Sequence, residues 1–112
     1  MKTATSVLGE GADAIISPSL MKAEYFLIVN PEDATVHEKI DNRYGVSAAG
    51  ADIFCSQLLI SKGVNKVVCG ICEPDAKRIF KEANVKVIEN VSGYISEYLV
   101  KFTLNNEAIL NE

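Results

Sequence analysis

Histidine, cysteine and long apolar runs are scarce in this sequence, and each shortage limits what the protein can do. The chain has one histidine, three cysteines, and 11 basic residues against 15 acidic ones, which gives a net charge of −4. Phosphate neutralisation needs clustered lysine and arginine, so nucleic acid is not an expected partner. No segment approaches the ~20 apolar residues of a membrane-spanning helix, so we expect no membrane association.

What the chain does contain is typical of one globular domain. Of its 112 residues, 48% are hydrophobic and 23% are charged, which excludes disordered and collagen-like proteins. We expect a single domain at residues 1–103 and a tail at residues 104–112 that frays, because its helical periodicity is weak. The N-terminal segment lacks the apolar core of a secretory signal, so we expect a cytoplasmic protein.

The most informative segment is residues 64–90, VNKVVCGICEPDAKRIFKEANVKVIEN, which predicts a strand, a turn, a helix and a second strand. An apolar run ends at Cys69, and the proline that follows Cys72 by two positions suits the start of a helix. Both cysteines then lie at the carboxyl end of a strand in an open α/β sheet, where such sheets place ligands. Gly70 and Ile71, between them, shape the turn.

Hydrophobic periodicity predicts the remaining elements. Strands are expected at residues 3–8, 25–29 and 35–40, of which the last two form a hairpin, and helices at residues 48–62 and after residue 92. Ser47 and Ser92 are the expected helix caps, and Phe54 and Cys55 are expected in the apolar stripe of the first helix. The chain is therefore an α/β domain in which a short meander precedes alternating helices and strands.

The two cysteines of the turn suggest metal binding. Cys72 precedes a helix N-terminus, where the dipole favours the thiolate that binds soft metals. A C-x-x-C pair supplies only two of the four protein ligands that a closed zinc or iron-sulfur site normally has. A carrier needs coordination positions that stay open for exchange, so two ligands would suit it. An alternative that the residues leave open is that Cys69 and Cys72 are small hydrophobes. Cys55 is expected in the core, and His37 is expected to be a solvated strand residue.

The order and spacing of several segments resemble a known family. The segments are EYFLIVN at 24–30, SAAGADIFCSQLLISKGVNKVV at 47–68 and GICEPDAKRIFKEANVKVIEN at 70–90. With their linkers, from the first strand through Phe102, they resemble the dinitrogenase iron-molybdenum cofactor biosynthesis family. This family contains NifX, the C-terminal part of NifB and small stand-alone relatives.

The resemblance implies a ribonuclease H-like fold, with a single five-stranded mixed sheet and helices on both faces. It also implies a non-catalytic protein that binds or carries an iron-sulfur or molybdenum-containing cluster or its precursor. Its expected partners are cluster donor and acceptor proteins, and it is expected to be a monomer or weak homodimer. One departure is that family members often carry His-Phe-Gly before the YFLIV strand, where this chain has Ser19, Leu20 and Met21.

These observations converge on one edge of the sheet. We expect Cys69 and Cys72 to be displayed there as metal ligands, with residues 17–19 forming the facing wall. The glycine-containing loop at residues 45–52 opens a helix whose amides could bind an anion. The expected cofactor-binding residues are Ser17, Ser19, Arg43, Gly70 and Ile71.

Other functions stay open on the residues alone. The C-G-I-C spacing also occurs in thiol-disulfide oxidoreductases, although no proline precedes a later strand here. A nuclease would need several converging carboxylates, and the strands supply only Glu24 and Glu38. A protein-interaction module without metal would leave no distinctive trace in the sequence.

Overall fold

A computed structural model describes residues 2–9, 11–30, 32, 35–42 and 50–104. The strands in this part of the chain are β1 (Thr3–Leu8), β2 (Ile15–Ile16), β3 (Tyr25–Asn30), β4 (Thr35–Asp41), β5 (Lys66–Val68) and β6 (Lys86–Ile88). The α-helices are α1 (Ala51–Ser61), α2 (Pro74–Glu82) and α3 (Ile95–Leu104). None of these helices is both long and apolar enough to cross a membrane.

All the strands form one mixed sheet in the order β4-β3-β1-β5-β6, and β2 pairs with β1. β5 is parallel to both β1 and β6, whereas β3 is antiparallel to β1 and β4. The single mixed sheet and the β3–β4 hairpin confirm the prediction. The expected number of five strands is wrong, because Ile15 and Ile16 pair with β1 as a sixth strand too short to show a period.

Helices cover both faces of the sheet. Helices α1 and α2 contribute Cys55, Leu59, Ala76 and Phe80 to the larger cluster of buried side chains, which packs on one face. Helix α3 contributes Ile95 to a smaller cluster on the other face. β5 lies between β1 and β6, and Val67 and Val68 are fully buried on opposite sides of it, as its apolar run predicted.

Two details of the helices differ from expectation. The buried positions of α1 include Ser56 rather than Phe54, which is 47% exposed. The small Ser56 hydroxyl is tolerated there because it donates a hydrogen bond to the Ile53 carbonyl at 2.8 Å. α3 begins at Ile95, so Ser92 lies too far ahead to cap it. The expected cap Ser47 and residues 105–112 of the expected tail lie outside the described residues.

We predict that Thr5→Val raises the free energy of unfolding by about 1 kcal/mol, because it removes a buried polar group that lacks a partner. Thr5 is fully buried in the central strand, and its Oγ1 has no hydrogen-bond partner. Urea denaturation measures the change. Thr35→Val in the exposed edge strand is the control and should have little effect, and a clear loss of stability in Thr5→Val would contradict the prediction.

Candidate functional site

The turn between β5 and α2 lies at the carboxyl edge of the parallel strands, as the sequence predicted. The Cys69 amide donates to the Ile88 carbonyl at 3.1 Å, which extends the pairing of β5 with β6. The Asn90 amide donates to the Gly70 carbonyl at 2.6 Å, and the Val91 amide donates to the Cys69 carbonyl at 3.2 Å. The segment that follows β6 therefore fixes one side of the turn.

Residues 17–20 fix the other side of the turn. The amides of Gly70 and Ile71 donate to the carbonyls of Ser17 and Pro18 at 3.1 and 2.8 Å. In return, the Leu20 amide donates to the Ile71 carbonyl at 2.9 Å. The loop does face the turn, and the two segments are in direct backbone contact, so they leave no hollow between them.

This contact depends on the absence of a side chain at Gly70. A Cβ atom at this position would collide with the Pro18 carbonyl group and would lie 2.8 Å from the Ser17 carbonyl oxygen. Ser17 itself is buried, and its hydroxyl donates to the Ser19 carbonyl at 2.6 Å. Gly70 and Ser17 thus shape the wall of the site through backbone contact and local hydrogen bonding.

The two thiols of the turn lie together but beneath the surface. Cys69 is 0% exposed and Cys72 is 3% exposed, and both belong to the cluster between the sheet and helices α1 and α2. The expectation that they are displayed at the rim is wrong, because a cysteine side chain packs as a small hydrophobe. Ile71, at 60% exposure, occupies the rim instead.

The interaction between the two thiols shifts their pKa values in opposite directions. It raises the pKa of Cys69, as burial also does, and it lowers the pKa of Cys72 against the opposing effect of burial. Cys72 is therefore the group that loses a proton first. It lies two residues before Pro74, the first residue of α2, so the helix dipole also favours its thiolate.

Charged residues that sequence reasoning missed surround the turn. The Cys72 amide donates to Glu89 Oε1 at 3.0 Å, and Lys77 Nζ lies 2.8 Å from Glu89 Oε2. The ion pair with Lys77 lowers the pKa of Glu89. Glu73 Oε1 accepts a hydrogen bond from the Met21 amide at 3.0 Å and so helps to hold the loop over the thiols. In the sequence, the position of Glu73 directly after Cys72 was the signal that could have indicated a charged residue at the turn.

Other candidate residues are not brought to the turn. The Cys55 thiol donates to Asn42 Oδ1 at 3.4 Å, and His37 is an exposed residue of β4, as expected. Arg43 lies outside the described residues. Within the described ranges, no three histidine, cysteine or acidic side chains are arranged to hold a metal. Cys69 and Cys72 are thus the side chains of ligand type that the turn itself contains.

Two surface hollows in the described part of the chain lie outside the turn itself. A hollow of about 390 Å³ beside α2 and β6 includes Lys77 and Glu89, the ion pair that holds the Cys72 amide. Another, of about 300 Å³, includes Lys2 and His37 at the opposite edge of the sheet. Neither is lined by a cysteine.

We predict that Gly70→Ala lowers the free energy of unfolding by about 3 kcal/mol, because overpacking against backbone cannot be relieved by a side-chain rotation. Gly63→Ala is the matched control. Gly63 has a φ of 78° but open surroundings, so this change should cost only about 1 kcal/mol of backbone strain. Urea denaturation compares the two, and equal losses would show that the loop does not constrain position 70.

We predict that stability falls above about pH 9 partly because of Cys55. Burial raises the pKa of this thiol from 9.0 to about 11. The unfolded chain loses the proton first, so the contribution of Cys55 is complete below pH 9 and is lost as the pH approaches 11. Denaturation at about pH 8 and about pH 11 should show that the advantage of wild type over Cys55→Ala shrinks by roughly 2 kcal/mol. An unchanged difference would contradict this.

Comparison with known proteins places the fold among solved structures. The apo form of the orange protein from Desulfovibrio gigas is 26% identical, with a TM-score of 0.76 over 90% of this chain and 85% of that one. A candidate NifB protein from Thermotoga is 26% identical, with a TM-score of 0.74 over 93% and 88% of the two chains. A candidate dinitrogenase from Methanocaldococcus jannaschii, at 21% identity, has a TM-score of 0.61 over 91% and 86%.

No curated protein matches the chain significantly in sequence. The family model described as dinitrogenase iron-molybdenum cofactor, however, matches residues 1–105. This match covers all the strands and helices of the described fold, and it confirms the resemblance found in the sequence. The chain belongs to the dinitrogenase iron-molybdenum cofactor family.

Proposed function

We propose that this protein is a non-catalytic carrier of an iron-sulfur or molybdenum-containing cluster, or of a precursor of one, with Cys69 and Cys72 as ligands. The observation that carries the proposal is that Cys69 and Cys72 lie in one cluster at the carboxyl edge of the sheet, with the N-terminus of α2 two residues beyond Cys72. Membership of a family named for the iron-molybdenum cofactor supports the class of cargo. The proposed partners are proteins that donate and accept the cluster.

The number of ligands suits a carrier better than a permanent site. Structural zinc and iron-sulfur sites usually take four protein ligands, whereas this turn supplies two thiols and the described residues add no third ligand. A cluster held by two thiolates keeps positions open for exchange with another protein. Cys72, whose thiolate is favoured, is the proposed first attachment point.

Burial of the thiols requires a step before the cluster binds. Three backbone hydrogen bonds join residues 17–20 to Gly70 and Ile71; Pro18 and Ile71 are exposed, whereas Ser17, Leu20 and Gly70 are buried. Loop segments open locally at a lower free energy than the core strands and helices. We propose that the loop separates from the turn and that Ser17, Ser19, Gly70 and Ile71 then line the opened site. Arg43 stays a proposed source of positive charge.

The fold family, the cellular location and the oligomeric state are part of the same proposal. A mixed sheet covered on both faces supports a ribonuclease H-like fold. We propose a cytoplasmic location and a monomer or weak homodimer.

The C-x-x-C turn also favours a second candidate, a thiol-disulfide oxidoreductase. A C-x-x-C pair with a lowered pKa at one cysteine has the chemistry of such an enzyme. Against it, both thiols are buried, whereas catalytic thiols are partly exposed. Catalytic turnover in an insulin-reduction assay would establish the enzyme.

We predict that anaerobic reconstitution with iron, sulfide and molybdate loads the wild type with metal and that Cys69→Ser/Cys72→Ser abolishes the loading. Metal analysis and the visible absorption spectrum measure the cluster. Cys55→Ser, which removes the third buried thiol, is the control and should load like wild type. Equal loading in the double variant would exclude the thiols as ligands, and an unloaded wild type would contradict the carrier function.

A further inference from the structure

The surface hollow between α2 and β6 is rich in positive charge. It has a volume of about 390 Å³ and is lined by three lysines, Lys77, Lys81 and Lys86, with Asn84 and one acidic residue, Glu89. Positive charge is therefore in excess here, although the whole chain carries a net charge of −4. Small-molecule sites in proteins begin at about 300 Å³, so this α2–β6 hollow is large enough for a small ligand.

The one carboxylate of the hollow is already engaged on both oxygens. Glu89 Oε2 pairs with Lys77 Nζ at 2.8 Å, and Glu89 Oε1 accepts a hydrogen bond from the Cys72 amide at 3.0 Å. Lys81 lies one helical turn after Lys77, and its ammonium group forms no ion pair with the described residues. The Asn84 side chain adds further N–H donors. The hollow therefore has more donors to offer than acceptors.

The open edge of β6 supplies a backbone donor. The Lys86 amide donates to the Asn65 carbonyl at 3.0 Å, so Lys86 turns its backbone toward β5. The Ile88 carbonyl accepts from the Cys69 amide at 3.1 Å and so faces the same way. Backbone groups alternate in direction along a strand, and β6 ends the order of described strands. The N–H of Val87, a lining residue, therefore points away from the sheet at the hollow.

This set of donors selects an oxyanion as ligand. Ammonium and amide N–H groups form their strongest hydrogen bonds with charged acceptors. A metal cation would need a carboxylate or thiolate ligand, whereas Glu89 is engaged and no cysteine lines the hollow. A peptide strand would need a longer ladder than the three residues of β6 provide. A compact anion with several acceptor oxygens can instead reach donors on the helix and the strand together.

We propose that the α2–β6 hollow binds one small tetrahedral dianion, held by the Lys81 ammonium group, the Asn84 side chain and the Val87 amide. Lys77 contributes further positive charge beside it. The site uses neither thiol, so the inference goes beyond the proposed carrier function. Sulfate, inorganic phosphate and molybdate share the chemistry that the site recognises, and separate titrations distinguish them.

Calorimetric titration of the full chain with each of these three dianions, at constant ionic strength, tests the site. We expect one dianion per wild-type chain. Tighter binding of one of them supports the site and identifies the source of the ligand. No saturable binding of any of the three would overturn the proposal.

Amide NMR spectra recorded during the same titrations locate the bound dianion. The Val87 amide and the side-chain amide of Asn84 should show the largest shifts. Largest shifts in the turn at residues 69–72, or on another face of the protein, would overturn the proposed position. This measurement needs no variant, so it tests the site even if a substitution prevents folding.

Lys81→Gln tests the ammonium group. Losing one hydrogen bond to a charged ligand should weaken binding on the order of tenfold. Lys22→Gln is the matched control, because Lys22 is also an exposed lysine but does not line the hollow. It should bind like wild type, and equal weakening in the two variants would show an effect of net charge alone and overturn the site.

Asn84→Gly tests the side-chain amide without straining the backbone. Asn84 has a φ of 60°, in the left-handed region that glycine adopts readily, so the variant should fold. It should also weaken binding on the order of tenfold. Wild-type affinity in both Asn84→Gly and Lys81→Gln would overturn the proposal.

The cysteine double variant separates this inference from the proposed function. Folded Cys69→Ser/Cys72→Ser should bind the dianion like wild type, and loss of binding would place the anion at the thiols and overturn the inference. A wild type that loads a cluster but binds no dianion would overturn the inference and leave the carrier intact. Dianion binding without cluster loading would support the α2–β6 site and contradict the carrier.

Discussion

The close approach of two backbone segments at Gly70 organises the end of the sheet that carries Cys69 and Cys72. Because residue 70 has no Cβ, residues 17–20 can lie directly on the turn and exchange three backbone hydrogen bonds with Gly70 and Ile71. This contact closes the larger core cluster over Cys69 and Cys72. In the proposed carrier, the free energy of the same contact sets how readily the thiols become accessible to a cluster.

The site combines apolar burial with charged groups at its edge. Cys69 and Cys72 lie in one cluster of buried side chains, and Cys72 lies ahead of the N-terminus of α2. The Cys72 amide is held by Glu89, which pairs with Lys77. Burial favours the neutral thiols, whereas the helix dipole favours the thiolate of Cys72.

The sequence predicted those features that depend on local patterns. The order β5, turn, α2, β6 followed from an apolar run, a proline and a helical stripe within residues 64–90, and the position of the turn at the carboxyl edge followed from parallel pairing. What it missed depends on contacts between distant residues. The burial of Cys69 depends on the approach of the loop at residues 17–20, which bonds to Gly70 and Ile71. β2 was missed because two residues carry no period.

Native-state amide hydrogen exchange tests the central claim most directly, because it reports whether the loop opens while the domain stays folded. The account predicts that the amides of Leu20, Gly70 and Ile71, which bond the loop to the turn, exchange through a local opening at a lower free energy than global unfolding. The amides that pair β1 with its neighbours should exchange only by global unfolding. If the loop amides were as strongly protected as those of β1, the thiols would be inaccessible core residues and the carrier function would be contradicted.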